Sequence, residues 1–486
     1  MKPKVLDVLV IGAGFAGVCV GIKLLEQSVT NFRIVEKSTG IGGTWYENTY
    51  PGAACDVASH LYCFSFEPNP NWSRVYSKQR EIQAYIEHCV EKYGLRRYIS
   101  HGKHVLRQQL DETKRVWVTQ FADGEVLHSK HVVSGIGGLH VPKIPEFEGK
   151  QTFGGVSMHS ARWNHAFDYR GKRVAMIGTA ASAIQIIPEL ASDVEQLVVF
   201  QRTPNYVAPR YDRAYSDKEK ARFKRWPFLN NLLRQFIFMR LEIVLYPFVK
   251  QNSRLGARGA KRVKEWMRSV IKDERLHEAM APDYQMGCKR ILISDHYYET
   301  FNRPNVSLIT SSIERITETG IVSADGKHHH VDAIVYATGF DLDKHLTSID
   351  VIGRNQTRLA NTWADIPTAY RGVCTAGFPN YWFVTGPNTG VGTTSIVFMI
   401  EQATRYILEC IKLADGGNLI EVKPNVEQAY NAEIQAALGE TVWASGCKSW
   451  YMREDGRIAI LYPYDARTWR KSMRRVNSAD FQIQKI

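Results

Sequence analysis

The sequence predicts an α/β fold, with two Rossmann-like dinucleotide-binding domains and a helical insert. Three observations carry this reading. A β-rich run near the N-terminus opens into a glycine turn and an apolar-periodic helix. The same strand–turn–helix–strand order recurs around residue 178. A long helix-forming stretch then separates that second unit from its later strands. At 486 residues, 44% hydrophobic and 23% charged, the chain has the size of two or three domains and an ordinary globular composition.

Composition also narrows the function. No run reaches the roughly 18 uninterrupted apolar residues of a membrane span. The opening MKPKVLDVLVIGAGFAG has the outline of a signal peptide, but Asp7 interrupts its apolar run and its glycines belong to a motif. A cytoplasmic location without a targeting segment is therefore expected. Eight cysteines show no C-x-x-C pair, which favours reduced thiols over disulfides or a metal site. The formal net charge is +13, yet the Lys and Arg residues are dispersed and form no nucleic-acid module, so no nucleic-acid partner is expected.

The first unit runs from Val5 to Ile11 into Gly12-Ala-Gly14-Phe-Ala-Gly17. Gly12 permits the tight turn, Gly14 lets a pyrophosphate approach the backbone, and Gly17 lets helix and strand pack closely. The helix N-terminus then faces the phosphates with free N–H groups. A second strand, FRIVEK, ends near Glu36, placed to accept hydrogen bonds from ribose hydroxyls.

The second unit repeats the order around Gly178-Thr179-Ala180-Ala181-Ser182-Ala183. Ala180 puts a Cβ where the fingerprint wants glycine, which weighs against close pyrophosphate contact. The following strand ends in Gln201-Arg202-Thr203, with no carboxylate. A guanidinium there suits a ribose 2′-phosphate, although a solvated surface arginine is the plainer reading. An acid-ended and an arginine-ended unit in one chain point to two different dinucleotides, FAD in the first and NADPH in the second. Thr179, Ser182 and Thr203 belong to the second site. Two later glycine turns add support: that in VDAIVYATGFD would pass close to a cofactor, and that in GPNTGVGTTS feeds a helix near residue 394 whose N-terminus would face an anion.

Two longer stretches are more specific. GGTWYENTYPGAACD supplies Gly42, Gly43, Trp45, Tyr50, Pro51, Gly52 and Asp56, and FGGVSMHSARWN supplies Phe153, Gly155, His159 and Trp163. In these the chain resembles the type I Baeyer–Villiger monooxygenases along nearly its whole length, Val5 to Tyr464, departing at Asn164 from the family's usual Pro or Asp. The resemblance implies a flavoprotein that uses NADPH and O2 to insert one oxygen beside a ketone carbonyl through a flavin C4a-peroxide, giving an ester or lactone. Gly43, Thr44, Trp45 and Tyr62 would contact FAD. Arg290 would be the essential arginine beside the flavin, oriented by Asp56, with Lys289 a second contact to the 2′-phosphate and Trp450 near the nicotinamide. His159 would be a hinge element. From the residues alone, adjacent Lys289 and Arg290 in an extended CKRILI would point to opposite faces, toward two ligands or merely along a solvated edge. The rival readings are an N- or S-oxygenating flavin monooxygenase and a non-catalytic flavin-bound sensor.

The expected division is residues 1–145 for the first part of the FAD domain and 146–210 for a linker and the first part of the NADP domain. Residues 211–285 form the helical insert, 286–375 the second part of the NADP domain and 376–486 that of the FAD domain. In the insert, Leu229, Leu232, Leu233, Phe236, Ile237, Ile243 and Val244 share a helical face opposite Asn230, Arg234 and Glu242. A core-facing helix is the expectation. The alternative is a lid or a weak peripheral membrane contact, with the basic run Arg467 to Arg475, admitting an apolar ketone.

Overall fold

The run Val5–Ile11, apolar but for Asp7, forms a strand whose last four residues are buried, as in parallel sheets covered on both faces. In the computed structural model, which describes residues 5–341, 348–447, 452, 453 and 455–485, this strand lies between Phe32–Val35 and Val126–Ser134, parallel to both. Ile99–Ser100 extends one edge of the sheet. On the other side Val126–Ser134 splits its partners, taking antiparallel Val116–Phe121 along its first half and parallel Tyr381–Phe383 along its second. Val105–Asp111 and Asp350–Ile352 complete that side. Among the described residues the first sheet is therefore rejoined at Asp350–Ile352, before the expected 376. A three-residue strand carries too little periodicity to be seen in the sequence.

A second sheet is wholly parallel, in the order Val306–Ile309, Gln196–Phe200, Arg173–Ile177, Ala333–Tyr336 and Val156–His159. The expected linker thus supplies an edge strand. Each sheet has its own apolar core: one gathers Val10, Ile34, Trp382 and Tyr406, the other Val174, Ile187, Val199 and Val335.

The insert holds helices Asp217–Arg225, Phe228–Leu245, Arg254–Val270 and Arg275–Ala279. Arg254–Val270 packs Met267 into the second core. Phe228–Leu245 reverses part of the expectation. Asn230, Arg234, Phe238 and Glu242 are buried, and Leu232, Phe236, Ile243 and Val244 are exposed, while Leu229, Leu233 and Ile237 of the expected face are half-buried, Ile237 against the first core. The cause is specific bonding. Arg234 Nη1 donates to the carbonyls of Leu61 and Cys63 at 3.1 and 2.8 Å, and Glu242 accepts from the Ala466 amide at 2.8 Å. Once so partnered, polar groups can be buried while the apolar face stays in water. Among the described residues no helix is long and apolar enough to cross a membrane.

The cysteine expectation also needs correction. Cys288 and Cys447 form a disulfide across a sequence separation of 159, their Cα atoms 6.4 Å apart. Six other cysteines are free and buried. No spacing rule reveals a pair that only tertiary folding brings together. Non-reducing peptide mapping should recover the two peptides joined. Cys447→Ser should lower the melting temperature by several degrees, because a bridge closing so long a loop contributes on the order of 2–4 kcal/mol. Separate peptides and an unchanged melting curve would contradict the bridge.

Candidate functional site

The carboxyl end of Val5–Ile11 delivers Gly12 at φ 93°. A Cβ on Gly17 would lie 1.8 Å from the Gly12 carbonyl oxygen, and one on Gly43 would lie 3.1 Å from Gly14 Cα. Bare backbone meets bare backbone here. Gly14 is the N-cap of helix Phe15–Glu26 and makes no side-chain cap bond, so the helix end remains open to an anion. Glu36 is buried at the end of Phe32–Val35, its Oε2 accepting from the Ala13 amide and its Oε1 from the Ser38 amide, both at 2.8 Å. Each carboxylate oxygen keeps a second lone pair for a ribose hydroxyl. This cradle fits the FAD expected at Gly12, Gly14, Gly17 and Glu36.

The loop from Gly42 to Asp56 leaves the cradle through a short helix, Thr44–Glu47. Buried Trp45 donates from its indole nitrogen to the Tyr62 hydroxyl at 3.1 Å, and Tyr62 packs edge-on against Phe15. The Tyr50-Pro51-Gly52 turn then crosses to the second unit. A Cβ on Gly52 would lie 2.4 Å from the Gln185 carbonyl oxygen. The Tyr50 hydroxyl donates to Gln185 Oε1 at 3.0 Å, and Gln185 Nε2 donates to the Ala54 carbonyl at 2.9 Å. Arg210 Nη2 donates to the Cys55 carbonyl at 2.7 Å. Sequence reading missed Gln185 and Arg210. Gln185 sits on the second unit's own helix, and Arg210 stands 155 residues from the carbonyl it holds.

The loop ends on a two-point bond. Arg290 Nε donates to Asp56 Oδ2 at 2.8 Å, and its Nη2 donates to Oδ1 at 2.7 Å. Both side chains remain partly open to solvent. The Arg290 segment is fixed from several directions. Gly287 turns at φ 99°, where a Cβ would lie 2.4 Å from the Phe248 carbonyl oxygen. The Trp443 indole donates to the Gly287 carbonyl at 3.1 Å, and Cys288 is tied to Cys447. Leu292–Ile293 pairs in parallel with Val207–Ala208. Only these two residues of CKRILI are a strand, and Cys288 and Lys289 lie in a bend. The two cations have different partners all the same, Asp56 for Arg290 and the Tyr284 ring for Lys289.

Lys289 Nζ lies 4.7 Å from the Tyr284 ring centroid. Burial pushes its pKa below the ordinary lysine value, and the nearby Arg202 charge pushes it further. Arg202 is exposed after strand Gln196–Phe200, makes no hydrogen bond or ion pair among the described residues, and is followed by half-buried Thr203. Two like charges close enough to perturb each other, with Asp283 only partly offsetting Arg202 at Lys289, suit a dianionic phosphate. Gly178 needs its φ of 108°, since a Cβ there would lie 2.5 Å from the Ala337 carbonyl oxygen. Beyond it Thr179 is buried, Ala180 is exposed, and Ser182 is the N-cap of Ala183–Leu190. His159 ends its strand with Nδ1 accepting from the Ala161 amide at 3.1 Å and its ring against Phe340. Burial lowers its pKa to about 4, so it stays neutral near pH 7. Trp450 lies outside the described residues.

Comparison with known proteins places this geometry. The family described as flavin-binding monooxygenase-like matches residues 5–359. A Baeyer–Villiger monooxygenase of Pseudomonas aeruginosa is 42% identical over 469 residues, covering 95% of this chain and 88% of that protein. One of Streptomyces coelicolor is 39% identical over 480 residues, covering 98% and 92%. Among solved structures, the cyclohexanone monooxygenase of Rhodococcus sp. Phi1 bound to NADP+ superposes with a TM-score of 0.89 at 29% identity, covering both chains fully. An oxidized steroid monooxygenase bound to NADP gives 0.89 at 31% identity, covering 99% of this chain and 100% of that one.

The Arg202–Lys289 pair makes a testable demand on the coenzyme. The unmodified protein should strongly prefer NADPH to NADH in steady-state oxidation. Arg202→Ala should raise the KM for NADPH by about tenfold or more, the worth of a charge-assisted hydrogen bond, and leave NADH nearly unaffected. Equal use of the two coenzymes would remove the phosphate assignment.

Proposed function

The chain belongs to the flavin-binding monooxygenase-like family and to its Baeyer–Villiger branch, and on that premise we propose that Arg290 is its catalytic cation and Asp56 the residue that positions it. The protein is an FAD- and NADPH-dependent monooxygenase that inserts one oxygen of O2 beside a ketone carbonyl, yielding an ester or lactone. The relatives are named for this reaction, which favours it over N- or S-oxygenation.

FAD, when bound, supplies oxygen activation, and NADPH supplies the reducing equivalents. The protein has to hold negative charge at the reacting centre without donating a proton to it. Guanidinium serves both needs: it is charged at every working pH, and its proton is too firmly held to be lent. A lysine or histidine in that place would bring a proton that can leave. The two-point bond from Asp56 is the observation that supports this reading, because it fixes the plane of the guanidinium as well as its position. Charge set in place before the reaction costs no reorganisation during it. Gly12, Gly14, Gly17, Glu36, Gly43, Thr44, Trp45 and Tyr62 are assigned to FAD. Gly178, Thr179, Ser182, Arg202, Thr203 and Lys289 are assigned to NADPH, and His159 to the hinge. The domain division we propose follows the two sheets, with the FAD unit resuming at Asp350.

Arg290→Ala should leave FAD bound and NADPH oxidised, while ester yield per turnover falls by ~10²–10³. Arg290→Lys should not rescue it, since an ammonium cannot make the two-point bond. Ester formation near the unmodified rate in Arg290→Ala, measured by mass spectrometry, would overturn the assignment.

A further inference from the structure

The insert helix Phe228–Leu245 is built inside out. Arg234 is 5% exposed, whereas Phe236, two residues on, is 63% exposed. Arg234 Nη1 spans the carbonyls of His60, Leu61 and Cys63, and Asn230 Nδ2 donates to the Phe223 carbonyl. Rolling the helix to hide its apolar face would break all of these bonds. The exposed face is therefore imposed by the anchoring of its opposite side. Phe228, Leu232, Phe236 and Ile243 recur at helical spacing along it, and Trp226 continues it at the N-terminal corner.

The charges bordering this face that make no ion pair among the described residues are cations. Arg222, Lys224, Arg225 and Arg240 are all exposed, and none makes an ion pair among the described residues. The neighbouring acids are already engaged: Asp217 with Lys220, Glu219 with Arg213, and Glu242 with the Ala466 amide. A second copy docking here about a two-fold axis would bring the same unpaired cations, Arg240 and the Lys224–Arg225 corner, from both copies into one interface. An anionic lipid surface meets both features at once, taking apolar side chains below the headgroups and cations among them. Tryptophan beside lysine and arginine is the composition of such a boundary.

We propose that this face of the insert helix, with the Lys224–Arg225–Trp226 corner, docks the protein on the surface of an anionic phospholipid bilayer. The contact is peripheral, with the helix lying in the plane of the interface. It does not depend on the roles assigned to Arg290 and Asp56.

The test is co-sedimentation of the FAD-loaded protein with phosphatidylcholine vesicles, with and without phosphatidylserine, at low and high salt. Binding should require phosphatidylserine and should be reversed by salt. Lys224→Glu combined with Arg225→Glu should weaken it by at least about tenfold, at roughly 1 kcal/mol for each surface cation. Leu232→Ser combined with Phe236→Ser should abolish it. Both substitutions alter exposed side chains, so NADPH oxidation should be unchanged, which also controls for folding. Absence of binding to the anionic vesicles would overturn the proposal, as would equal binding by the Leu232→Ser, Phe236→Ser variant. So would a dimer in sedimentation velocity that this variant dissolves, since the face would then be a contact between copies.

Discussion

The Arg290–Asp56 bond is the interaction on which the arrangement of this protein turns. Its partners stand 234 residues apart, one closing the loop of the first nucleotide unit and the other opening the return segment of the second. The pair is too exposed to contribute much stability, at most about 1 kcal/mol. Its value is positional. A guanidinium gripped at two nitrogens has a fixed plane, and this one is held between the loop of the first unit and the return segment of the second.

The surrounding structure holds the two ends of that bond in place. On the Asp56 side, Gly52 presses its backbone against Gln185, whose side chain bridges Tyr50 and Ala54. On the Arg290 side, Gly287 lies against the Phe248 carbonyl beneath the Trp443 indole. Backbone-to-backbone approaches of this kind leave no space for a side chain and little for movement. The insert contributes as well, because Phe248 follows its long helix and Val249 accepts from the Val442 amide at 2.7 Å. One helix bundle thus braces the arginine loop and presents an apolar face outward.

Much of this was legible in the sequence, for local reasons. Val5–Ile11 and Arg173–Ile177 are apolar runs ending in glycines whose φ values no other residue adopts comfortably, and each of those features lies within a few residues. Glu36 and Arg202 were readable because strand ends set their positions. What escaped is what depends on distant partners. The orientation of Phe228–Leu245 is decided by carbonyls at residues 60 to 63, the Cys288–Cys447 pairing by two loops converging, and the strand Asp350–Ile352 by an edge offered at Val105–Asp111. Periodicity grouped the apolar residues of the insert helix but could not say that Leu232, Phe236, Ile243 and Val244 stay exposed while Leu229, Leu233 and Ile237 are half-buried. That was settled by hydrogen bonds to Arg234, which the helical pattern does not contain.

If Asp56 serves to hold Arg290, it acts only through that guanidinium. The decisive experiment is a double-mutant cycle on the rate of ester formation, with FAD occupancy and NADPH oxidation followed in parallel. Strong non-additivity is expected: Asp56→Ala should slow the unmodified enzyme substantially and cost almost nothing further in an Arg290→Ala background. Independent, additive losses from the two substitutions would show that Asp56 has a role of its own.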